Sequence, residues 1–207
     1  MELLNSILYD TVYHSAPIIL CVIGGIFAYK ANVLNIALEG MMLNGAFISV
    51  LVEYLTGSVA LAVIAAIVTT LLWGLVFSFL GITCNGNVIV IGLGINLIVP
   101  AIAKFVLKVM ELANISLQDV GVTSDMTAGR GFIAIAAIYC GQGKPVQSSL
   151  YAILFGVARS LAVNLSVYAG PAAGMFDTIP YIIMVAVLAV VSFMKFKDVK
   201  VRGYKFD

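Results

Sequence analysis

Tyr54–Ala103 reads YLTGSVALAVIAAIVTTLLWGLVFSFLGITCNGNVIVIGLGINLIVPAIA, fifty residues without one Asp, Glu, Lys or Arg between Glu53 and Lys104. One helix needs about 20 apolar residues to cross the hydrocarbon core of a bilayer, so this stretch holds two crossings. Cys84-Asn85-Gly86-Asn87 divides them, because Asn and Gly are turn formers. The spans on either side are residues 58–80 and 88–103.

The same spacing of charges organises the rest. Upstream, residues 13–29 form a span closed by Lys30, and residues 33–55 form another, interrupted by Glu39. Downstream, Gly131–Gly141 makes only about 16 Å of helix at 1.5 Å per residue. It either lengthens across Thr127–Arg130, giving a segment over 127–141, or enters the membrane without crossing. Residues 147–169 carry Arg159, and residues 178–194 form a seventh segment. Met110–Asp125 holds three acids and reads as an extramembrane loop. The expected fold is an all-α, polytopic membrane bundle of about seven segments, some broken or re-entrant, in a single transmembrane domain over residues 1–207.

Composition agrees. Of 207 residues, 62% are hydrophobic and 10% charged, with a mean hydropathy of +1.12. A soluble domain carries about 25% charged residues to face water. The net charge of +1 excludes the basic face of a nucleic-acid binder. Cys21, Cys84 and Cys140 lie far apart in apolar surroundings, with no spacing that suggests a metal or a disulfide framework. They read as small packing residues. Five basic residues (Lys195, Lys197, Lys200, Arg202 and Lys205) follow the last span, which places that tail in the cytoplasm. Its bland role is attraction to anionic lipid. Seven crossings then put the N-terminus outside, Lys30 and Lys144 inside, and Lys104 and Lys108 outside. The start lacks a positive n-region, so no cleaved leader is expected.

Polar groups within the spans are the candidate site residues. An ionised side chain at a helix centre costs about 2.5–3.5 kcal/mol on the insertion scale, so Glu39 needs a reason to be there. Asn35 lies one helical turn earlier and would share its face. The pair reads either as the polar lining of a translocation path or as a boundary acid tying helices together. Arg159 needs a partner or water, and Glu39 is a candidate counter-ion for it. Asn96 is either a helix-to-helix hydrogen bond or a substrate contact. Pro100 kinks or ends span four, and interrupted spans line substrate paths in transporters. Two motifs of soluble enzymes fail. Gly92-Leu93-Gly94 has Leu97 where a dinucleotide fold needs its third glycine, and Gly141-Gln142-Gly143-Lys144 is followed by Pro145 where a P-loop needs Ser or Thr. The lone histidine, His14, leaves no hydrolase triad.

Four colinear pieces carry a family resemblance. Ala16-Pro17-Ile18 leads through Gly24-Gly25 to Asn35-Ile36-Ala37-Leu38-Glu39-Gly40-Met41-Met42 and Asn44-Gly45-Ala46-Phe47. Asn87-Val88-Ile89 runs on to Gly92-Leu93 and Asn96-Leu97. Met126-Thr127-Ala128-Gly129-Arg130-Gly131-Phe132-Ile133-Ala134 comes next, followed by Leu154-Phe155-Gly156 and Ile179-Pro180-Tyr181. Together they resemble the permease subunits of ABC importers for simple sugars and nucleosides. The resemblance implies a bacterial plasma-membrane protein that catalyses no reaction and binds no cofactor of its own. A second permease subunit would complete the pore, an ABC ATPase subunit would hold ATP, and an external substrate-binding lipoprotein would deliver nucleoside or sugar. Arg130 and Phe132 join Asn35, Glu39 and Asn96 as site candidates through their place in the signature. The chain departs from the family by a gap between Lys108 and Met126, where relatives carry two further spans and an ATPase-docking loop. Rival readings are a non-conducting structural or regulatory subunit, a degenerate short relative, and an ATP-independent channel or facilitator.

Overall fold

The computed structural model describes residues 2–113, 115, 126–167 and 173–201, and these are helical, with no strand among them. The helices are α1 (Glu2–Lys30), α2 (Leu38–Thr56), α3 (Val59–Ser78), α4 (Val88–Leu112), α5 (Arg130–Cys140), α6 (Pro145–Ser166), α7 (Ala173–Phe176) and α8 (Ile179–Val201). Six segments are long and apolar enough to cross a membrane, and Arg130–Cys140 is a shorter apolar helix.

Local chemistry sets the ends. Gly57 stops α2 in the left-handed region (φ 67°), its N–H donating to the Glu53 carbonyl at 2.7 Å. The Ser58 hydroxyl then accepts from Leu61 N–H to start α3. A π-helical turn, Phe79–Thr83, winds α3 down into the expected turn at 84–87. The Asn87 side chain accepts from the N–H groups of Ile89 and Val90 to open α4. Pro145 sits in the first turn of α6, where its missing N–H costs nothing.

Two open expectations are narrowed and one is corrected. Pro100 does not end its helix: α4 runs through it to Leu112, so Met110–Leu112 is helix rather than loop. Residues 114 and 116–125 of that expected loop, and 202–207 of the basic tail, lie outside the described residues. The α5 segment does not lengthen across Thr127–Arg130, because Met126–Gly129 forms a turn. At 11 residues it is about 16 Å long, half the hydrocarbon thickness. The second segment begins as helix at Leu38 rather than Val33, which takes Asn35 out of it.

The described residues divide into two compact units. In residues 28–132, α2 packs along α3 and α4 around Ala37, Leu43, Phe77, Ile95 and Val99. Asn44 ties this core. Its amide donates to the hydroxyls of Thr69 (2.9 Å) and Thr70 (3.2 Å), and its carbonyl oxygen accepts from the Trp73 indole N–H (3.2 Å). Asn44 is 8% exposed, so these bonds repay the burial of an amide.

In the other unit, residues 1–27 and 133–207, α6 supplies small buried residues (Ala152, Gly156, Ala158, Ser160 and Ala162). Close approach is the reason: a Cβ on Gly156 would collide with Ser15 of α1. Ser160 Oγ donates to the Ile7 carbonyl (2.9 Å), and the Asn164 amide donates to Asp10 (2.7 Å). Arg159 pairs with Asp177, at 2.8 Å.

Arg159 thus has Asp177 as a partner within its own unit, beside the Glu39 candidate read from sequence. A concrete expectation separates the two: stability lost in Arg159→Glu should return in the double variant with Asp177→Arg, and should not return with Glu39→Arg. Monodisperse yield in detergent after mild heating reads out the difference.

The outer faces fit lipid rather than water. In α3 only 6% of the most apolar window is buried, and Leu71, Leu72, Leu75 and Phe79 are exposed. Exposed apolar area on this scale is far beyond what a soluble monomer carries.

Candidate functional site

Within residues 28–132 a cavity of about 580 Å³ is lined by Glu39, Gly40 and Leu43 of α2, Leu93, Asn96, Leu97, Pro100 and Lys104 of α4, and Thr127, Gly129 and Phe132 around the start of α5. Its polar groups arise from one physical problem: each helix begins with N–H groups that have no partner inside the helix.

The α2 start solves this from two sides. Asn35 Oδ1 accepts from Ala37 N–H at 3.1 Å, a local side-chain turn just before the helix. Asn96, reaching from α4, accepts from Gly40 N–H at 2.7 Å and donates its amide to the Ile36 carbonyl at 2.9 Å. Both ends of one side chain thus hold one helix terminus. The fit needs small residues. A Cβ on Gly40 would lie 2.9 Å from Asn96 Oδ1, and a Cβ on Gly92 would lie 3.0 Å from Ala37 N.

The α5 start is held by Glu39. One carboxylate oxygen accepts from the Thr127 hydroxyl (2.5 Å) and from Gly129 N–H (3.0 Å), and the other accepts from Gly131 N–H (2.6 Å). A carboxylate at a helix N-terminus gains from the aligned peptide dipoles as well as from the bonds. The preceding turn is left-handed at Ala128 (φ 43°) and Gly129 (φ 75°), which aims both amides at the acid. Gly131 is obligatory: a Cβ there would meet Glu39 Cα at 2.5 Å and Glu39 N at 2.6 Å.

Of the five site candidates, Glu39, Asn96 and Phe132 line the cavity together. Asn35 does not; it caps Ala37 and shares no helical face with Glu39, because helix begins only at Leu38. Arg130 opens α5 but is not part of the cavity lining. Sequence reasoning passed over Thr127, Gly129 and Lys104. The first two sat in plain view in the quoted signature, as a hydroxyl and a flexible amide four and two residues before Gly131. Among the described residues no group of three His, Cys, Asp or Glu could hold a metal ion.

Chemically, the cavity offers an aromatic face at Phe132 (41% exposed), apolar walls from Leu43, Leu93 and Leu97, and a cation at Lys104. Pro100 contributes too. It has no N–H, so the Asn96 backbone carbonyl loses its helical donor and remains an acceptor in the wall. Such a surface can bind a small, partly polar ring compound, while the Thr127 hydroxyl and the Glu39 carboxylate in its wall are engaged with each other.

Replacing Asn96 with Leu keeps the side chain's bulk and removes both bonds, leaving Gly40 N–H and the Ile36 carbonyl unpaired. The expected loss is about 2 kcal/mol, the scale of two interhelical hydrogen bonds with buried partners left open. Unfolding in mixed micelles would measure it.

Comparison with known proteins places this geometry. The chain is 31% identical over 116 residues to the guanosine ABC transporter permease protein NupQ of Bacillus subtilis, covering 53% of this chain and 36% of that protein. It is 33% identical over 112 residues to the nucleoside ABC transporter permease protein NupC of Lactococcus lactis subsp. cremoris, covering 51% of this chain and 35% of that one. The match thus spans about a third of the length of these curated relatives. No solved structure matches the chain. The model of the family described as the branched-chain amino acid transport system / permease component matches residues 7–127, which includes α2, α3, α4 and most of the cavity wall. With more than half its length matched, the chain belongs to that permease family.

Proposed function

We propose that the chain is a membrane subunit of an ABC importer that moves nucleosides across the bacterial plasma membrane by alternating access. The observation that carries this reading is that both relatives are described as nucleoside or guanosine permeases, while the family match covers the helices around the cavity. Glu39, Asn96, Lys104 and Phe132 line the path, with Phe132 as a stacking face for a base and Lys104 as a donor. The chain performs no bond chemistry. ATP is held by a partner ATPase, a second permease subunit completes the pore, and an external lipoprotein delivers substrate. The basic tail from Lys195 onward is cytoplasmic by the positive-inside rule.

The test is uptake of labelled guanosine in cells lacking their own nucleoside import, with and without the chain and its co-purifying partners. ATP-dependent uptake is the expected result. Uptake that survives ATP depletion would overturn the importer in favour of a facilitator.

One observation favours a second reading. The three acceptor bonds on Glu39 and both bonds on Asn96 serve the fold, as a non-conducting subunit would require. That reading expects the chain to co-purify with a longer permease and to leave that permease's flux unchanged when deleted.

A further inference from the structure

We propose that the end of the helical unit formed by residues 1–27 and 133–207 carries a binding site for the headgroup of an anionic phospholipid. The site is a cavity of about 370 Å³ lined by Cys140, Gln142, Gln147, Leu150, Tyr151, Val191 and Met194. It lies between the α5–α6 turn and α8, and it shares no lining residue with the cavity around Asn96.

Three observations carry the assignment. Depth comes first. No Asp, Glu, Lys or Arg occurs from Thr178 to Met194, and the helix continues as KFKDVK, residues 195–200. Met194 therefore marks the boundary between hydrocarbon and headgroups, and the cavity sits at that level. The second is the layout of its wall. Leu150, Val191 and Met194 are apolar, as glycerol and the upper acyl chain require. Gln142, Gln147 and Tyr151 offer two amides and a phenol, whose side chains bond no other described residue. These are neutral hydrogen-bond donors suited to phosphate oxygens.

Charge is the third. Lys144, exposed, lies between the two glutamines in the α5–α6 turn, and the helix that supplies Met194 runs straight into three lysines against one aspartate. Among the described residues no acid lines the cavity. Lys144 thus lies beside a polar pocket with an apolar floor, and the sequence turns basic one residue after Met194, which lines it. A phosphate that carries its own acyl chains satisfies both parts, whereas a free anion leaves the apolar floor unused. The cytoplasmic leaflet is the anionic one, and each nearby lysine adds about 1 kcal/mol of attraction to it.

Native mass spectrometry of the full chain tests this, released from nanodiscs containing equal phosphatidylglycerol and phosphatidylcholine. The expected result is retention of phosphatidylglycerol over phosphatidylcholine. Lys144→Gln should cut that preference about fivefold, the effect of one lysine near the surface. Gln147→Leu, at an exposed first-turn position of α6, should lower it further by removing a donor. Equal retention of the two lipids by the wild-type chain overturns the proposal, and does so even if a variant fails to fold. Preference that is unchanged in both folded variants overturns it as well. Displacement of the lipid by inorganic phosphate at equal concentration would show a soluble-anion site and also sink the proposal. None of these readings depends on nucleoside uptake.

Discussion

Gly131→Ala should cost about 3 kcal/mol, the upper part of the range for forcing extra atoms into a packed site. The added carbon would lie 2.5–2.7 Å from Glu39 Cα, N and one carboxylate oxygen. Two of these three atoms belong to the α2 backbone, so no rotamer change relieves the clash. The only escape is to move the start of α5 away from α2, which lengthens the 2.6 Å bond from Gly131 N–H and frees Glu39 from half its cap. By contrast, Gly94→Ala, with nothing within 4 Å of its new carbon, should be nearly neutral. Denaturation midpoints of the two variants in the same micelles would show the contrast. A Gly131 variant as stable as the Gly94 variant would mean that the two helix ends do not approach as described.

Glu39→Ala should be comparably severe, about 3 kcal/mol, because it strands three donors rather than one. Thr127 is only 2% exposed, so its hydroxyl has no easy route to water, and the amides of Gly129 and Gly131 lose their acceptor. Glu39→Gln is the sharper probe. It keeps the shape and one acceptor oxygen but turns an NH2 group toward a donor, so it should recover only part of the loss. If Glu39→Gln matched the parent in thermal unfolding while abolishing uptake, the carboxylate would be acting on substrate and not on the fold. If both stability and uptake fell together, the cap is its main work.

The division between what could and could not be read in advance follows the range of the forces. Charge-free runs are set by the thickness of hydrocarbon, a one-dimensional quantity. The spans around Val59–Thr83 and from Val88 onward, with the turn at Cys84–Asn87, were therefore legible in the sequence, whereas the Asn87 cap and the run on to Leu112 were not. Helix starts were not so plain. Asn35 fits a helical spacing to Glu39, yet an Asn two residues before an amide can also fold into a local turn, and that alternative won. The partners of Glu39 stand 88 to 92 positions away, and no local rule reaches so far. Its tie to a helix start was one of two open readings. Arg159 offers a different lesson. Asp177, 18 residues on, is the nearer acid and lies just outside the apolar run that follows, a better candidate than a distant glutamate. The Asn44 cluster announced its parts in an amide, two threonines and the chain's only tryptophan, but the register of α2 on α3 that unites them is a property of packing alone.

The two interlocked caps have a mechanical consequence. Asn96 grips α2, and Glu39 in the first turn of α2 grips the beginning of α5, so a torque applied to any one of these three is passed to the other two without slack. The reversals at Gly57 and Asn85, where the backbone is left-handed, carry none of these cap bonds and can yield without straining them.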